Sequence, residues 1–297
     1  MKASIVITNW NGKKILEKNL PSVITASKNK INKISEIILV DDHSSDESVT
    51  FLEKNYPEVK LIRHTKNRGF AFASNHVVRM AKSELIVLLN NDVFVAEDFL
   101  GSVFRHFRDD GVFAVSLHER GGSCATISFV DGFLHHEPGS AMNKAVDTAW
   151  VSGGSSVIRK SIWKKLGGFD DELFAPFYWE DVDLGYRAHK HGYKLVWEPK
   201  AHVVHNHETT INEHSFSEKY MNSVKQRNQL LFLWKNITSK NLFHKHLKGL
   251  LKRCLKHPGY LKVVFLALQK RKLVLRKRQE EGQKSIVSDE AVFAKFN

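Results

Sequence analysis

Four places in the chain gather side chains able to do chemistry: Thr8-Asn9, Asp41-Asp42, Asn90-Asn91-Asp92 and the run Trp179-Glu180-Asp181-Val182-Asp183. Carboxylates and carboxamides are oxygen ligands for hard cations and partners for sugar hydroxyls, and a carboxylate can also take a proton from a hydroxyl. The first three clusters share a setting, because each directly follows a short apolar run: Ser4 to Ile7, Glu36 to Val40 and Leu85 to Leu89. Wet loop residues explain any one of them. Three in succession, two with carboxylates, point to a phosphate, sugar or metal site.

The runs themselves, with Val59 to Ile62, are predicted to be strands buried on both faces. Helical spacing separates them: Ile15, Leu16, Leu20, Val23 and Ile24 form one apolar stripe, and Phe70, Ala73, Val77 and Met80 another. Between these, Ser44 and Glu47 are spaced as a capping box for a helix carrying Val49, Leu52 and Tyr56. Repeated β-α-β units predict an α/β fold with a mostly parallel sheet flanked by helices, and ligands then sit beyond the carboxyl ends of the strands. From Val112 to Asp147 the pattern is too weak to order. A short helix is expected over Lys160 to Leu166, ended by Gly167-Gly168, and another from Trp179 to Gly192, followed by two extended pieces, Lys194 to Trp197 and His202 to His205.

The chain has 297 residues, 42% of them hydrophobic, and a net charge of +13. That is enough for one large core or two modest ones, and too polar for a multi-span membrane protein. No run approaches the roughly 20 apolar residues of a membrane span, and the N-terminal apolar run is too short for a signal peptide. Two cysteines make neither a disulfide framework nor a metal cluster, so a reduced, cytoplasmic setting is expected. GxGxxG is absent after the first strand, which disfavours a dinucleotide oxidoreductase.

The segments SIVITNWNG, EIILVDDHSSDES, NRGFAFASN, LLNNDV and GGFDDELFAPFYWEDVDLGYR, in that order, resemble the family 2 glycosyltransferases of GT-A fold, nearest to rhamnosyltransferase-like members that build bacterial surface polysaccharides. The resemblance spans roughly residues 1 to 235. It implies a catalytic domain over 1–213, with a nucleotide-binding half (1–95) and an acceptor half (96–213), and a metal-dependent, inverting transfer from a UDP- or dTDP-sugar to a saccharide acceptor, lipid-linked in such pathways. Thr8 and Asp42 match positions that contact the base, where a carboxylate accepting a pyrimidine N3–H favours uridine or thymidine over cytidine. Asn9 belongs to the same strand end. Asn67 and Gly69 match the turn that approaches the nucleotide, and Gly153 and Gly154 the small-residue turn under the donor sugar.

Asn90-Asn91-Asp92 stands where the family has DXD, the motif holding Mg²⁺ or Mn²⁺ on the diphosphate. With Asn90 replacing the first Asp, one anionic ligand is lost, and metal binding leans on Asp92, the diphosphate and a third ligand, for which the resemblance offers His205 ahead of His202 or His207. Asp181 matches the general base, Glu180 would orient hydroxyls, and Trp179 would stack on the acceptor sugar. The same acids also fit a helix whose first turn is stabilised by negative charge, with Glu180, Asp183 and Arg187 along one face. The preceding GGFDDELF favours catalysis.

Residues 214–297 read as a helical, basic C-terminal region. Leu242 to Arg278 holds 12 Lys and Arg and no acid, interleaved with Leu, Val and Phe, which leaves the rest of the chain near neutral. Such a segment suits a peripheral position on an anionic bilayer; helices packed on the catalytic body, with a solvated basic face, account for it as well. Nucleic acid is not expected as a partner, since no nucleic-acid motif accompanies the charge. The degenerate DXD leaves a non-catalytic, glycosyltransferase-like binding module as the alternative function, ahead of a nucleic-acid-binding protein.

Overall fold

The computed structural model describes residues 1–140, 142–205 and 216–296; His207 and the boundary expected at 213 lie outside them. The first half alternates strand and helix: β1 (Ala3–Asn9), α1 (Lys13–Lys28), β2 (Ile34–Asp41), α2 (Ser48–Asn55), β3 (Lys60–Arg63), α3 (Phe70–Met80) and β4 (Leu85–Asn90). There follow β5 (Val93–Val95), β6 (Val112–Glu119), a hairpin of β7 (Ala125–Val130) and β8 (Phe133–Pro138), β9 (Val146–Asp147) and β10 (Ser155–Arg159). Then come α4 (Lys160–Leu166), α5 (Glu180–Lys190), β11 (Lys194–His205) and the helices α6 (Glu218–Asn236), α7 (Lys240–Lys256), α8 (Leu261–Leu268), α9 (Arg271–Lys284) and α10 (Asp289–Ala294).

The main sheet runs β3-β2-β1-β4-β10-β6-β11-β5, with β9 beside β11. The first four strands in that order are parallel. β10 enters antiparallel to both β4 and β6, so β6 and β11, which are parallel to each other, point the same way as β4. The carboxyl ends of β1, β2, β4, β6 and β11 therefore share one edge. Alternate residues feed two cores, Ile5, Ile7, Leu85, Val87 and Leu89 on one face and Val6, Ile86 and Leu88 on the other, which is why these strands read as unbroken apolar runs. β3 departs from that expectation: it is the edge strand and only half-buried. The two extended pieces expected after Gly192 are one strand, β11, whose pairing with β6 slips between Glu198 and His202, where Pro199 has no N–H to donate.

Ser44 caps no helix. Its hydroxyl donates to Asp41 and its side-chain oxygen accepts from Asn11 N, tying the ends of β1 and β2 together, while Asp46 accepts from Ser48 N at the start of α2.

The basic C-terminal helices are not an appendage. One hydrophobic cluster joins Leu173, Phe174 and Tyr186 to Phe232, Val263, Val274 and Phe293. Beneath α5, Lys235 Nζ stands 3.0 Å from Asp170 and 2.9 Å from Asp183, Arg187 bridges Asp183 at 2.7 Å, and Lys277 of α9 reaches Asp170 at 2.8 Å. Asp289 of α10 accepts from Tyr186 and Lys190. Helix α5 is thus clamped by residues more than 40 positions downstream. No helix among the described residues is long and apolar enough to cross a membrane.

Candidate active site

The strand ends open onto a cleft of about 450 Å³ lined by Thr8, Asn9, Asp42, Asn67, Gly69, Asn90, Asn91, Asp92, Gly154, Glu180 and Asp181. The edge of the sheet and the first turn of α5 both line it, so Asp92 and Asp181, 89 residues apart in sequence, share one cavity.

On the strand side the amides act as struts. Asn9 donates to Asp41 Oδ1 at 3.0 Å and accepts from Asn91 Nδ2 at 2.8 Å, linking the ends of β1, β2 and β4. Gly12 is required by the crowding there, because a Cβ on it would lie 2.2 Å from Asn91 Nδ2. Gly154 plays the same part opposite Asn90: a Cβ would lie 2.3 Å from Asn90 Nδ2. The space that Gly154 leaves open is filled by that amide.

Asp42 is buried, and its carboxylate accepts Gly69 N at 2.7 Å, Arg68 N at 3.0 Å and His64 Nδ1 at 2.7 Å. His64 Nε2 in turn meets His76 Nδ1 at 2.8 Å. Asp42 therefore anchors the turn that precedes α3, in which Asn67 Oδ1 accepts Gly69 N at 3.1 Å. Gly69, at φ +86°, holds a left-handed conformation that a side chain would strain.

The metal question turns on Asp92. It is 1% exposed, and neither carboxylate oxygen receives a well-aligned hydrogen bond among the described residues. Its charged neighbour is His205, whose Nε2 lies 3.0 Å from Oδ1 while Nδ1 lies 3.1 Å from Glu119 Oε1. The register explains the meeting: His205 pairs with Val93 on the adjacent strand, one residue past Asp92. Burial alone would push the imidazole down, but Asp92 and Glu119 outweigh it and hold His205 up at about 9. At neutral pH it is a cation beside Asp92, and ligation by its nitrogen would release that proton. No three His, Cys, Asp or Glu among the described residues form a ready metal cluster. An under-satisfied carboxylate and one imidazole fit a divalent ion that draws its remaining ligands from a diphosphate and water.

On the helix side, three acids occupy the first turn of α5 with three different fates. Asp183 is fully buried in the ion cluster described above. Glu180 is 9% exposed; burial, reinforced by the Asp181 charge, raises it to about 8. Asp181 keeps partial exposure to the cleft; burial raises its pKa against the opposing donation from Val182 N, 2.8 Å from Oδ1. A raised carboxylate at the cleft wall is a stronger base than an ordinary one.

Trp179 is a correction. The sequence puts it on an acceptor sugar, but its ring lies in the core, 7% exposed, against Phe232 at 5.3 Å and His136 at 5.6 Å. The aromatic residues that line the cleft are Tyr178, Phe177, Phe216, Phe70 and Trp10. The reason is backbone geometry: Tyr178 and Trp179 both take positive φ, 71° and 81°, and the reversal turns the Trp ring inward. Asn228 of α6, fully buried, holds this turn by donating to the carbonyls of Phe174, Phe177 and Tyr178. Sequence reasoning missed Asn228, which has no motif, and Glu119, which did have a signal: it ends β6 on the same sheet edge as the other polar clusters.

The family model "Glycosyl transferase family 2" matches residues 4–167. The chain is 27% identical over 60% of its length to the pre-mycofactocin glycosyltransferase of Mycobacterium tuberculosis, of which the alignment covers 38%. It is 25% identical over 64% of its length to that organism's N-acetylglucosaminyl-diphospho-decaprenol L-rhamnosyltransferase, covering 71% of it. Among solved structures it resembles GalNAc-T7 with UDP, GalNAc and Mn²⁺, at a TM-score of 0.66 and 16% identity, over 88% of this chain and 57% of that one. That likeness speaks for the fold, which is GT-A. With the family match extending over more than half of its length, the chain belongs to glycosyl transferase family 2.

Proposed function

We propose that the cleft binds a UDP- or dTDP-sugar and transfers the sugar, with inversion, to a hydroxyl of a saccharide acceptor carried on lipid, in the synthesis of a bacterial surface polysaccharide. The observation that carries this reading is the shared cavity of Asp92 and Asp181, one at the strand edge and one on α5. Asp181 takes the proton of the acceptor hydroxyl; that oxygen bonds to the anomeric carbon as the bond to the diphosphate oxygen breaks, and a single displacement from the opposite face inverts the centre. Glu180, neutral when its carboxyl stays protonated near pH 7, leaves Asp181 without a second negative charge at its side.

Asp92 and His205 would hold Mg²⁺ or Mn²⁺, as the Mn²⁺ named with the GalNAc-T7 structure suggests. Such an ion supplies charge neutralisation for the departing diphosphate. The lipid-carried acceptor is supported by the decaprenol-linked substrate in the name of the M. tuberculosis relative.

Asp181→Asn tests the assignment. Sugar transfer from a panel of UDP- and dTDP-sugars should fall roughly 10²–10⁴-fold, with nucleotide-sugar binding by calorimetry unchanged. Near-normal turnover by the variant removes Asp181 from the chemistry. Binding of donor without turnover by the unmodified chain points to the non-catalytic module instead.

A further inference from the structure

We propose that the outer face of α7, α8 and the start of α9 docks on an anionic lipid bilayer, its leucine and phenylalanine side chains entering the acyl boundary while lysines and arginines stay at the headgroups.

The two sides of α7 differ. Its inner side is fixed: Leu242 and His246 are buried, and His246 accepts from Trp234 Nε1 at 2.9 Å through one ring nitrogen and contacts Gly132 O at 2.8 Å through the other. A helix pinned by both nitrogens of a fully buried histidine cannot roll. The residues it then presents to solvent are Leu247, Leu251 and Leu255, each four positions after the last and 45%, 62% and 75% exposed. α8 repeats the arrangement, burying Val263 and Ala267 and exposing Leu261, Phe265 and Leu268 at 58%, 62% and 44%. Leu275 of α9 adds a further exposed leucine at 63%. Elsewhere the exposed large apolar residues are scattered through the chain, as on any soluble surface.

Charge selects the partner. Residues 242–278 contain 12 cations and no acid. The fold uses five of them: Arg253 lies over the Phe133 ring, Lys270 donates to backbone carbonyls, Lys277 pairs with Asp170, Arg278 donates to Trp234 O and Arg276 pairs with Glu172. The other seven are exposed. A phosphate backbone would use the cations but has no place for protruding leucines at helical spacing, whereas an anionic bilayer takes both. Docking on this face would hold the chain at the membrane that carries a lipid-linked acceptor, a consequence that rests on the transferase reading; the docking itself does not.

The test is sedimentation of the intact chain with vesicles of phosphatidylcholine alone and with phosphatidylglycerol added, before and after Leu251→Ser/Leu255→Ser/Phe265→Ser, and separately Lys248→Gln/Lys252→Gln/Lys256→Gln. Binding is expected only with the anionic lipid. Each buried leucine should contribute about tenfold to partition and each lysine about fivefold, so either triple substitution should abolish detectable sedimentation. All six positions are exposed, and the melting temperature and turnover of donor with a soluble acceptor should stay unchanged in both variants. Absence of binding to anionic vesicles overturns the proposal, as does apolar-variant binding equal to that of the unmodified chain. Tight binding to duplex DNA without vesicle binding would reassign the face to nucleic acid. Loss of turnover in Asp181→Asn with vesicle binding intact separates this surface from the fate of the site.

Discussion

The cleft and the ion cluster beneath α5 use the same residue types to opposite ends. In the cluster every acid meets a cation at salt-bridge distance: Asp183 has Arg187, Lys235 and a hydrogen bond from Asn236, and Asp170 has Lys235 and Lys277. The opposing cations hold Asp170 well below the usual carboxylate range despite its burial. In the cleft, Asp42 is held by His64 and two backbone N–H groups, but the other acids are short of partners. Asp92 has one imidazole, Glu180 Oε2 is buried without a donor among the described residues, and both Glu180 and Asp181 are pushed up. Asp181 and Asp183, two residues apart on one helix, fall on either side of this division. Acids compensated by cations hold the helix; acids left uncompensated keep an unmet demand for a proton or a metal that a substrate complex can meet.

The largest effect should come from unbalancing the compensated side. Lys235→Met leaves Asp170 and Asp183 buried with one cation fewer, and stability should fall by about 3–5 kcal/mol, read by urea denaturation. A loss under about 1 kcal/mol, within the range of an exposed pair, would show that the cluster contributes no more than surface ion pairs do.

Asp92→Asn moves the cleft towards the neutral amides already at Asn90 and Asn91. One unit charge about 4 Å from a divalent ion interacts by about 8 kcal/mol at an effective dielectric near 20, most of it offset by the desolvation of both ions, so Mn²⁺ affinity measured by calorimetry with a UDP-sugar present should weaken by roughly 10- to 100-fold, without the loss of stability expected for Lys235→Met. Unchanged affinity would move the metal elsewhere.

Much of this was legible in the chain because short apolar runs bounded by polar residues leave few alternatives to a parallel sheet, and the carboxyl-end rule then collects Thr8, Asn9, Asp42 and Asp92 without any distance being known. The same rule finds Glu119 once β6 is recognised, but the glycine-rich, mixed stretch from Val112 to Asp147 hid the strand. Trp179 was misplaced for another reason: an aromatic beside a catalytic acid carries no mark of the positive φ that turns its ring inward, and that geometry depends on Asn228, some 50 residues away. The ion cluster was half legible. Asp183 and Arg187 show their helical spacing, whereas Lys235 and Lys277 looked like part of a uniform basic tail until folding divided those cations between interior and surface.

The finest test concerns Glu180, because it asks whether an uncompensated acid leaves a trace in stability. Its pKa in the folded chain is raised to about 8 from an ordinary 4.5. An acid raised on folding stabilises the folded state below its unfolded pKa, and that contribution is lost as pH rises through the folded value. Between pH 5 and pH 9 the chain should therefore lose stability on this account, whereas a compensated acid such as Asp170, lowered on folding, loses its contribution only on acidification. One pKa unit corresponds to about 1.4 kcal/mol; with the titration shared between Glu180 and Asp181, about 2 kcal/mol is expected across the window. Glu180→Gln cannot titrate, so its melting temperature should fall less from pH 5 to pH 9 than that of the unmodified chain. Parallel profiles for the two would mean that Glu180 titrates near its ordinary value, and the distinction between the two sets of acids would then rest on Asp92 and Asp181 alone.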